Sequence, residues 1–484
     1  MSLNNLLNTV KQHHPNADLD LIRLAYDYAE KAHEGQKRES GTPYFEHPVA
    51  TAQILADMKL NVPIIVAGLL HDVPEETTFT IEDIKENFGS EIAGMVQRIT
   101  KLGKIKYRGI ERYVENLRKM FIAIAYDVRV VFIKFADRLH NLKTLDSLPP
   151  EKQKRIALES MEIYAPIANR LGMGRIKGEL EDEAFRYVHP EEHKWASGLV
   201  EEKYREKETY LDRIGEVIKD DLQKSGIVSV SIHGRTKHIW SLYQKLLRKD
   251  KEIERIYDLV ALRVIVKSVS DCYAALGIIH QRWKPLKGRI KDYIAQPKPN
   301  GYQSIHTTIF CENGEIIEVQ IRTEKMHDEA EFGIAAHWHY DEKGKMSIKD
   351  KRQLWWVKEL SKIQKEISDK QEFLDSLETL KIDVFQNRIF VFTPQGDVID
   401  LPENSTPVDF AYNVHSEIGN KCAGVKINNQ MARVDSCLQS GDVIEIITEK
   451  NRKCPNPDWL SFVKTRSARE KIKAQIRLVK KTSI

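Results

Sequence analysis

The chain has 484 residues, 41% apolar and 30% charged, which fits about three globular domains at roughly 150 residues each. Lys and Arg total 75 against 71 for Asp and Glu, and a net charge of +4 is too small to name nucleic acid as the partner, so local clusters of charge matter more. Scattered Cys272, Cys311, Cys422, Cys437 and Cys454 form no C-x-x-C pair, which argues against a disulfide framework or a cysteine zinc site. The longest apolar run, Ile64 to Leu70, falls far short of the roughly 18 residues of a spanning helix, and Met1 to Val10 has no signal-peptide pattern, so the chain is expected to stay in the cytosol.

Residues 1–195 read as almost all helix, with apolar positions at helical spacing (Ile22, Ala25, Tyr26, Ala29) and helix starts marked by Pro48 and Pro63. A charged connector helix is predicted over 196–224. From Gly226 the pattern changes. Val228, Val230 and Ile232 alternate with serines as a strand, a helix follows over 237–248, and Leu259 to Val266 is a β-branched strand. A helix over 271–283, strands over 304–311 and 316–322, and a helix over 323–340 complete an α/β layer spanning 196–340. A polar helical linker is expected over 341–381. The unit over 382–450 then has a hairpin, 388–392 and 398–401, around Pro394-Gln395-Gly396-Asp397. A helix over 407–418 and strands over 424–427 and 443–447 make it β-grasp-like. The basic tail over 451–484 is predicted helical, and the whole is a multidomain α+β chain.

The first block carries a candidate metal site. His47 stands at a helix start, His71-Asp72 ends the apolar run, and Asp137 lies among apolar residues in Phe132 to Asn141. Polar groups delivered beside buried apolar ones need partners, and two imidazoles with two carboxylates suit a divalent transition metal that lowers the pKa of its water. Glu75 and Glu76 follow at once and can activate water or protonate a leaving group. Read singly, His47 is equally a helix cap and Asp137 a partner for Arg138.

In the second block, Glu318, Gln320 and Arg322 share one strand face and Ile317, Val319 and Ile321 the other. By default that polar face is the solvated side of an antiparallel sheet. Asp258 opens a second strand, and carboxylates on neighbouring strands can hold Mg²⁺. Arg235, Lys237 and Lys245 can clamp triphosphate oxygens, and the Tyr302 ring, on a turn, can stack on a base.

Longer strings carry a resemblance. AHEGQKRESGTPYFEHP (32–48), LLHDVPEET (69–77), KFADRLHNLKTL (134–145) and MEIYAPIANRLGMGRIKGELED (161–182) resemble the HD-type hydrolase domain of RelA/SpoT enzymes and the segment after it. GRTKHIWSLYQK (234–245), YDLVALRVIV (257–266), KDYIAQPKPNGYQSIHT (291–307), EVQIRT (318–323) and AEFGIAAHW (330–338) resemble that family's nucleotidyltransferase-like synthetase domain. RIFVFTPQGDVIDLP (388–402), DFAYNVHSEIGNKCAGVKIN (409–428) and SGDVIEIIT (440–448) resemble its TGS domain. Long members of the family continue through further regulatory domains, so the match reads as one cut off after the TGS domain.

The resemblance implies that His47, His71, Asp72 and Asp137 bind Mn²⁺ and that this site removes the 3′-pyrophosphate from (p)ppGpp. Arg38 would pack against guanine, and Asn141 and Thr144 would contact the nucleotide. Glu76 stands where the family usually has Asp, and Glu39 where many members have a basic residue. The second block would transfer the β,γ-pyrophosphate of ATP to the 3′-hydroxyl of GDP or GTP. There Asp258 and Glu318 would hold Mg²⁺, with Glu318 also the base. Arg235 and Arg263 would flank adenine, and Lys237, Ser241 and Lys245 would hold ATP phosphates. Tyr302 would stack on guanine, with Lys298, His306, Gln320 and Arg322 on the acceptor side. Strand parity puts Asp258 and Arg263 on opposite faces, so a bulge or strand end is expected between them.

Arg289-Ile290-Lys291-Asp292 matches the basic form associated with bifunctional members. The third block would contact uncharged tRNA on the ribosome, with His415 best placed to touch the tRNA end. A β-grasp domain without RNA contact is its plain alternative. For the whole chain three readings stand: a bifunctional enzyme, a synthetase with a degenerate regulatory hydrolase domain, and a tRNA- or ribosome-binding regulator.

Overall fold

The structure, a computed structural model, describes residues 2–103, 119–120, 123–124, 126–248, 260–298, 300–339, 388–395, 398–439, 441–449, 452 and 454–482. Asp258, the predicted linker over 341–381 and the Gly396-Asp397 part of the predicted turn lie outside them. The chain divides into two compact units, Met1–Ser361 and Lys362–Ile484, taken separately here.

The first unit opens with helices α1 (Leu3–His13), α2 (Leu19–Ala32), α3 (Glu46–Asp57) and α4 (Val62–Leu70). Ser2 and Asp18 cap the first two by accepting from Asn5 N and Leu21 N. Helix α4 is apolar all round and buried all round, with Pro63 in its first turn. One turn, α5 (Val73–Glu76), leads to α6 (Ile81–Gly103). Helix α7 (Arg129–Lys143) buries Val131, Phe132, Phe135, Ala136 and Leu139 against α3 and α6. Helix α8 (Pro150–Glu159) passes through a π turn into α9 (Ala165–Arg170). Helix α10 (Gly174–Val188) and the 35-residue α11 (Pro190–Lys224) carry the chain to a sheet.

That sheet contains β1 (Ser229–Thr236), β2 (Val260–Val266), β3 (Lys291–Asp292), β4 (Ile305–Phe310) and β5 (Ile316–Thr323) in the order β1-β2-β5-β4-β3, with only the β2/β5 pair parallel. Helices α12 (Ile239–Leu247) and α13 (Val269–Arg282) cover one face, and α14 (Glu324–Phe332) follows β5. The alternation in β2, β4 and β5 sends Leu262, Val264, Ile305, Ile309, Val319 and Ile321 into one core with α11 and α13. The register aligns the opposite parity: Arg235 pairs with Ala261, His233 with Arg263, Arg263 with Gln320, and Gln320 with His306.

Three expectations change. Strand β1 runs on to Thr236, so Arg235 lies on the strand and not in the turn after it. The two-residue β3 was too short to show periodicity. The helix expected over 323–340 is two: the α-helix ends at Phe332 and a 3-10 helix runs over Gly333–His339, the change falling at Gly333, whose φ 58° and ψ −132° are open essentially to glycine alone. Close approach explains it: a Cβ on Gly333 would lie 2.2 Å from Leu171 O, while Ile334 N–H donates to that oxygen at 2.9 Å. We therefore expect Gly333→Ala to destabilise the first unit by about 3 kcal/mol or more, read as a lower denaturant midpoint.

The second unit contains a hairpin, β6 (Arg388–Phe392) and β7 (Val398–Pro402), and a sheet ordered β10-β8-β9 from β8 (Cys422–Ile427), β9 (Gln430–Ala432) and β10 (Ile444–Thr448). A parallel bridge between Phe392 and Val443 joins them. The helix expected over 407–418 is two, α15 (Pro407–Val414) and α16 (Ser416–Lys421), separated by extended His415. Buried Asp409 caps α15 in a box with Thr406 and also accepts from Thr465 N and Oγ1, tying the tail to the unit. The tail forms α17 (Arg466–Thr482), whose Ala468 and Ile472 pack with Tyr412 and Trp459. Among the described residues no helix is long and apolar enough to cross a membrane.

Candidate functional sites

Three helices deliver the first site. Helix α3 presents His47, the end of α4 presents His71 and Asp72, and α7 presents Asp137; both imidazoles and Asp137 are buried. His47 Nε2 lies 3.4 Å from Asp72 Oδ2 and 3.4 Å from Asp137 Oδ1. One ligand atom each from His47, His71 and Asp137 lie within 4.8 Å of one another. His71 Nδ1 is 2.7 Å from the Gly68 carbonyl, an acceptor only, so in the neutral ring Nδ1 carries the proton and Nε2 the lone pair. That buried Nε2 has no hydrogen-bond partner among the described residues. An orphaned imidazole nitrogen beside two carboxylates and a second imidazole fits a divalent cation.

Sequence reasoning missed the groups that orient these ligands. Tyr44 Oη donates to Asp72 at 3.0 Å, Lys134 Nζ to Asp137 at 2.6 Å, and His140 Nδ1 lies 2.7 Å from His47 Nδ1. Lys134 and His140 flank Asp137 at three residues' helical spacing, a signal present in the sequence but shared by any helix with polar residues one turn apart. Burial opposes ionisation of Asp72 and Asp137. Yet the imidazoles beside Asp72, and Lys134 beside Asp137, hold both carboxyls well below the usual carboxylate range.

Burial works against a charged His47 as well, but hydrogen bonds to Asp137 and Asp72 raise it to about 9. His140 is pushed down to about 3, by burial and then by the His47 charge. The two signs oppose. The raised His47 contributes stability that is complete below its ordinary value of 6.5 and lost as pH rises through about 9. The lowered His140 costs stability as pH falls below 6.5 towards about 3. The metal-free protein is thus expected to melt highest near pH 6.5. A divalent cation held at this site would compete with the His47 proton, so adding one should move that maximum to higher pH in a Tm-against-pH series.

A second layer faces the same centre. Arg38 donates to Asn141 Oδ1 at 2.8 Å and to Thr144 Oγ1 at 3.1 Å, so the three residues expected to meet a nucleotide do converge. Gln36 donates to the Glu76 carbonyl at 2.7 Å, fastening the loop before α3 to α5. Glu75 is half-buried and Glu76 exposed. Exposed Glu39 lies 3.5 Å from Lys152, which directs its charge outward.

The second site lies on the polar face of the sheet, and this face is not solvated: Arg263, Gln320 and Arg322 are buried. Tyr302 Oη lies 2.8 Å from His306 Nε2, and His306 Nδ1 lies 3.1 Å from Glu318 Oε1. A carboxylate only accepts, so Nδ1 carries the proton and Tyr302 donates to Nε2. Gln320 donates to Glu318 at 2.8 Å and accepts from Arg235 at 3.3 Å. Lys298 Nζ sits 5.0 Å from the Tyr302 ring centre. Its charge is disfavoured by burial, then by Lys291, with Lys237 and Arg235 adding to the crowding. Cations held that close together suit a polyanionic ligand.

Arg263 and Arg322 do not stand open beside Arg235. Both reach Glu331 Oε1 at 3.1 Å, and Arg322 also contacts His327 at 2.7 Å. His327 and Glu331 lie four residues apart on α14, and neither was singled out from sequence. Burial and the neighbouring Arg322 bring Arg263 down to about 10. Ser241 and Lys245 lie on α12 one turn apart. In the second unit, exposed His415 starts α16, its Nδ1 accepting from Glu417 N at 3.2 Å.

A helical domain with a candidate metal site, joined to a sheet that gathers cations around a carboxylate, defines a class: a protein with two candidate centres in one unit. Models of known families resolve it further. Residues 25–174 match an HD domain, 234–345 the region found in RelA / SpoT proteins, and 389–448 a TGS domain. The chain is 46% identical over 473 residues to a GTP pyrophosphokinase of Myxococcus xanthus, covering 97% of this chain and 62% of the relative. It is 45% identical to a guanosine-3′,5′-bis(diphosphate) 3′-pyrophosphohydrolase of Aquifex aeolicus, covering 98% of this chain and 67% of the relative. With the bifunctional (p)ppGpp synthase/hydrolase SpoT of Escherichia coli K12 it shares 43% identity, covering 99% of this chain and 68% of the relative. The chain belongs to the RelA/SpoT family. Its fold is multidomain α+β: an all-α HD-type domain, an α/β domain matching the RelA / SpoT region and a small TGS domain. It spans about three-fifths of the length of the first relatives, 62% and 60%.

Proposed function

We propose that this protein both makes and breaks (p)ppGpp, at the sheet site and the helical site respectively. The observation that carries the reading is the convergence, within one unit, of His47, His71 and Asp137 on one point with Asp72 beside both imidazoles, and of the Glu318–His306–Tyr302 chain beside a knot of cations on another. The domains we assign are 1–195 hydrolase, 196–340 synthetase, 341–381 linker, 382–450 TGS and 451–484 basic tail.

In the hydrolase, His47, His71, Asp72 and Asp137 would hold Mn²⁺. When bound, such an ion lowers the pKa of its water and polarises a phosphate oxygen. Arg38, braced by Asn141 and Thr144, stacks on guanine and fixes the nucleotide. Glu75, half-buried where Glu76 is exposed, moves the proton at the reacting oxygens. We expect Glu75→Gln to lower hydrolysis by about 10²-fold or more, and Glu76→Asp to stay within about threefold, because the half-buried carboxylate is the more confined of the two. Pyrophosphate release from (p)ppGpp checks both, and the opposite ranking would reassign the proton to Glu76.

In the synthetase, Asp258 and Glu318 would hold Mg²⁺, and Glu318 takes the proton of the acceptor's 3′-hydroxyl. Arg235 and Arg263 flank adenine, while Lys237, Ser241 and Lys245 bind the ATP phosphates. Tyr302 stacks on guanine, its hydroxyl held by His306, and Lys298, Gln320 and Arg322 complete the GDP/GTP side. Glu331 holds Arg263 and Arg322 in one plane of charge. The TGS domain would meet uncharged tRNA and the ribosome through His415. The test is direct: purified protein with ATP, GDP and Mg²⁺, and separately with (p)ppGpp and Mn²⁺. Product in both supports the reading; product in neither overturns it.

A further inference from the structure

The segment ending in Gly-Glu-Leu-Glu-Asp (178–182) lies on α10, outside both proposed sites, yet its last residue reaches the synthetase. Helix α12 has no cap of its own: its first flanking residue, His238, makes no side-chain capping bond. The missing acceptor comes from 58 residues earlier in the chain, where Asp182 Oδ1 accepts from Trp240 N at 2.9 Å. Its other oxygen, Oδ2, lies 2.8 Å from His238 Nδ1. Residue 178 must be glycine for this docking, since a Cβ there would stand 2.2 Å from His238 Nε2. Phe185, one turn further along α10, packs edge-on against Trp240 at 4.8 Å. Helix α10 itself packs against α7, which carries Asp137.

We infer that Asp182 is a positioning residue for the synthetase: from the hydrolase side of the unit it pins the first turn of α12, and so places Ser241 and Lys245 for the ATP phosphates. The inference rests on the proposed role of α12 in binding ATP. A carboxylate at a helix N-terminus satisfies an orphan N–H and opposes the end's partial positive charge. The pin acts on the helix bearing the donor-side residues. The acceptor-side residues Tyr302, His306 and Gln320 lie on the loop before β4, on β4 and on β5. Its loss should therefore show on one substrate and not the other.

The experiment compares Asp182→Ala and Asp182→Asn with the unaltered protein. Asparagine keeps an acceptor for Trp240 N–H and offers a donor to His238; alanine keeps neither. Steady-state synthesis gives KM for ATP and for GDP. Calorimetry measures a non-hydrolysable ATP analogue, and hydrolysis of (p)ppGpp with Mn²⁺ checks that the helical domain is intact. We expect alanine to raise KM for ATP, and to weaken the analogue, about tenfold. KM for GDP and the hydrolase rate should stay within about twofold, and asparagine should restore most of the loss. Unchanged ATP affinity in the alanine variant overturns the inference. So does an equal loss for both substrates, which marks a merely structural residue, or an asparagine variant as poor as alanine. Gly178→Ala is the second arm: it displaces His238 without touching the carboxylate and should shift KM for ATP in the same direction, and an unchanged value counts against the pin. If the unaltered protein makes no (p)ppGpp but still binds the analogue, the reading of the reaction fails while the binding comparison still judges Asp182.

Discussion

Asp72→Ala is expected to abolish pyrophosphate release from (p)ppGpp, by about 10³-fold or more, while leaving synthesis from ATP and GDP within about twofold. Asp72 is the hub of the helical site. Its two oxygens lie 3.4 Å from His47 Nε2 and 3.2 Å from His71 Nε2, and Tyr44 donates to it at 3.0 Å. Alanine removes the carboxylate that His47 Nε2 faces and leaves the Tyr44 hydroxyl without that acceptor. Manganese binding, measured by calorimetry, should fall in step with the rate. A rate loss with unchanged Mn²⁺ affinity would mean that Asp72 acts on the substrate and not on the ion. The fold should survive, because His71 keeps its bond to Gly68 and α7 keeps its apolar face buried. Synthesis reports that directly, since α10 of the helical domain is bonded to α12 through Asp182 and Trp240.

Glu318→Gln is the counterpart for the sheet site, with an expected loss of synthesis of about 10³-fold or more and hydrolysis unchanged within about twofold. The substitution keeps shape and one carbonyl oxygen, so His306 and Gln320 retain an acceptor. It removes the negative charge and the basicity. Binding of the ATP analogue and of GDP should change much less than the rate, which separates a proton acceptor from a structural link. Residual synthesis above a few per cent would reject Glu318 as the base. Together the two variants are expected to give a double dissociation, each activity lost with the other retained.

The sequence by itself determined the elements and the candidates for chemistry. Helical spacing marked the first block, β-branched content marked β2 and two-residue alternation marked β5, each to within a residue or two, because each pattern lies within a single element. The strings around His47, His71-Asp72 and Asp137 named four candidate ligands, and the fold gathers His47, His71 and Asp137 within 4.8 Å of one another. Tertiary structure decided what lies between elements. Arg38 meets Asn141 across 103 residues, and Asp182 meets Trp240 across 58. No local rule links such positions; packing of separate helices does. It also buried Gln320 and Arg322 on a face that reads as solvated, with Glu331 and His327 of α14 set against Arg322. The break after Phe332 has the same origin. Glycine permits the helix to continue or to stop, and the approach of Leu171 O to within 2.2 Å of where a Cβ would lie selects the stop.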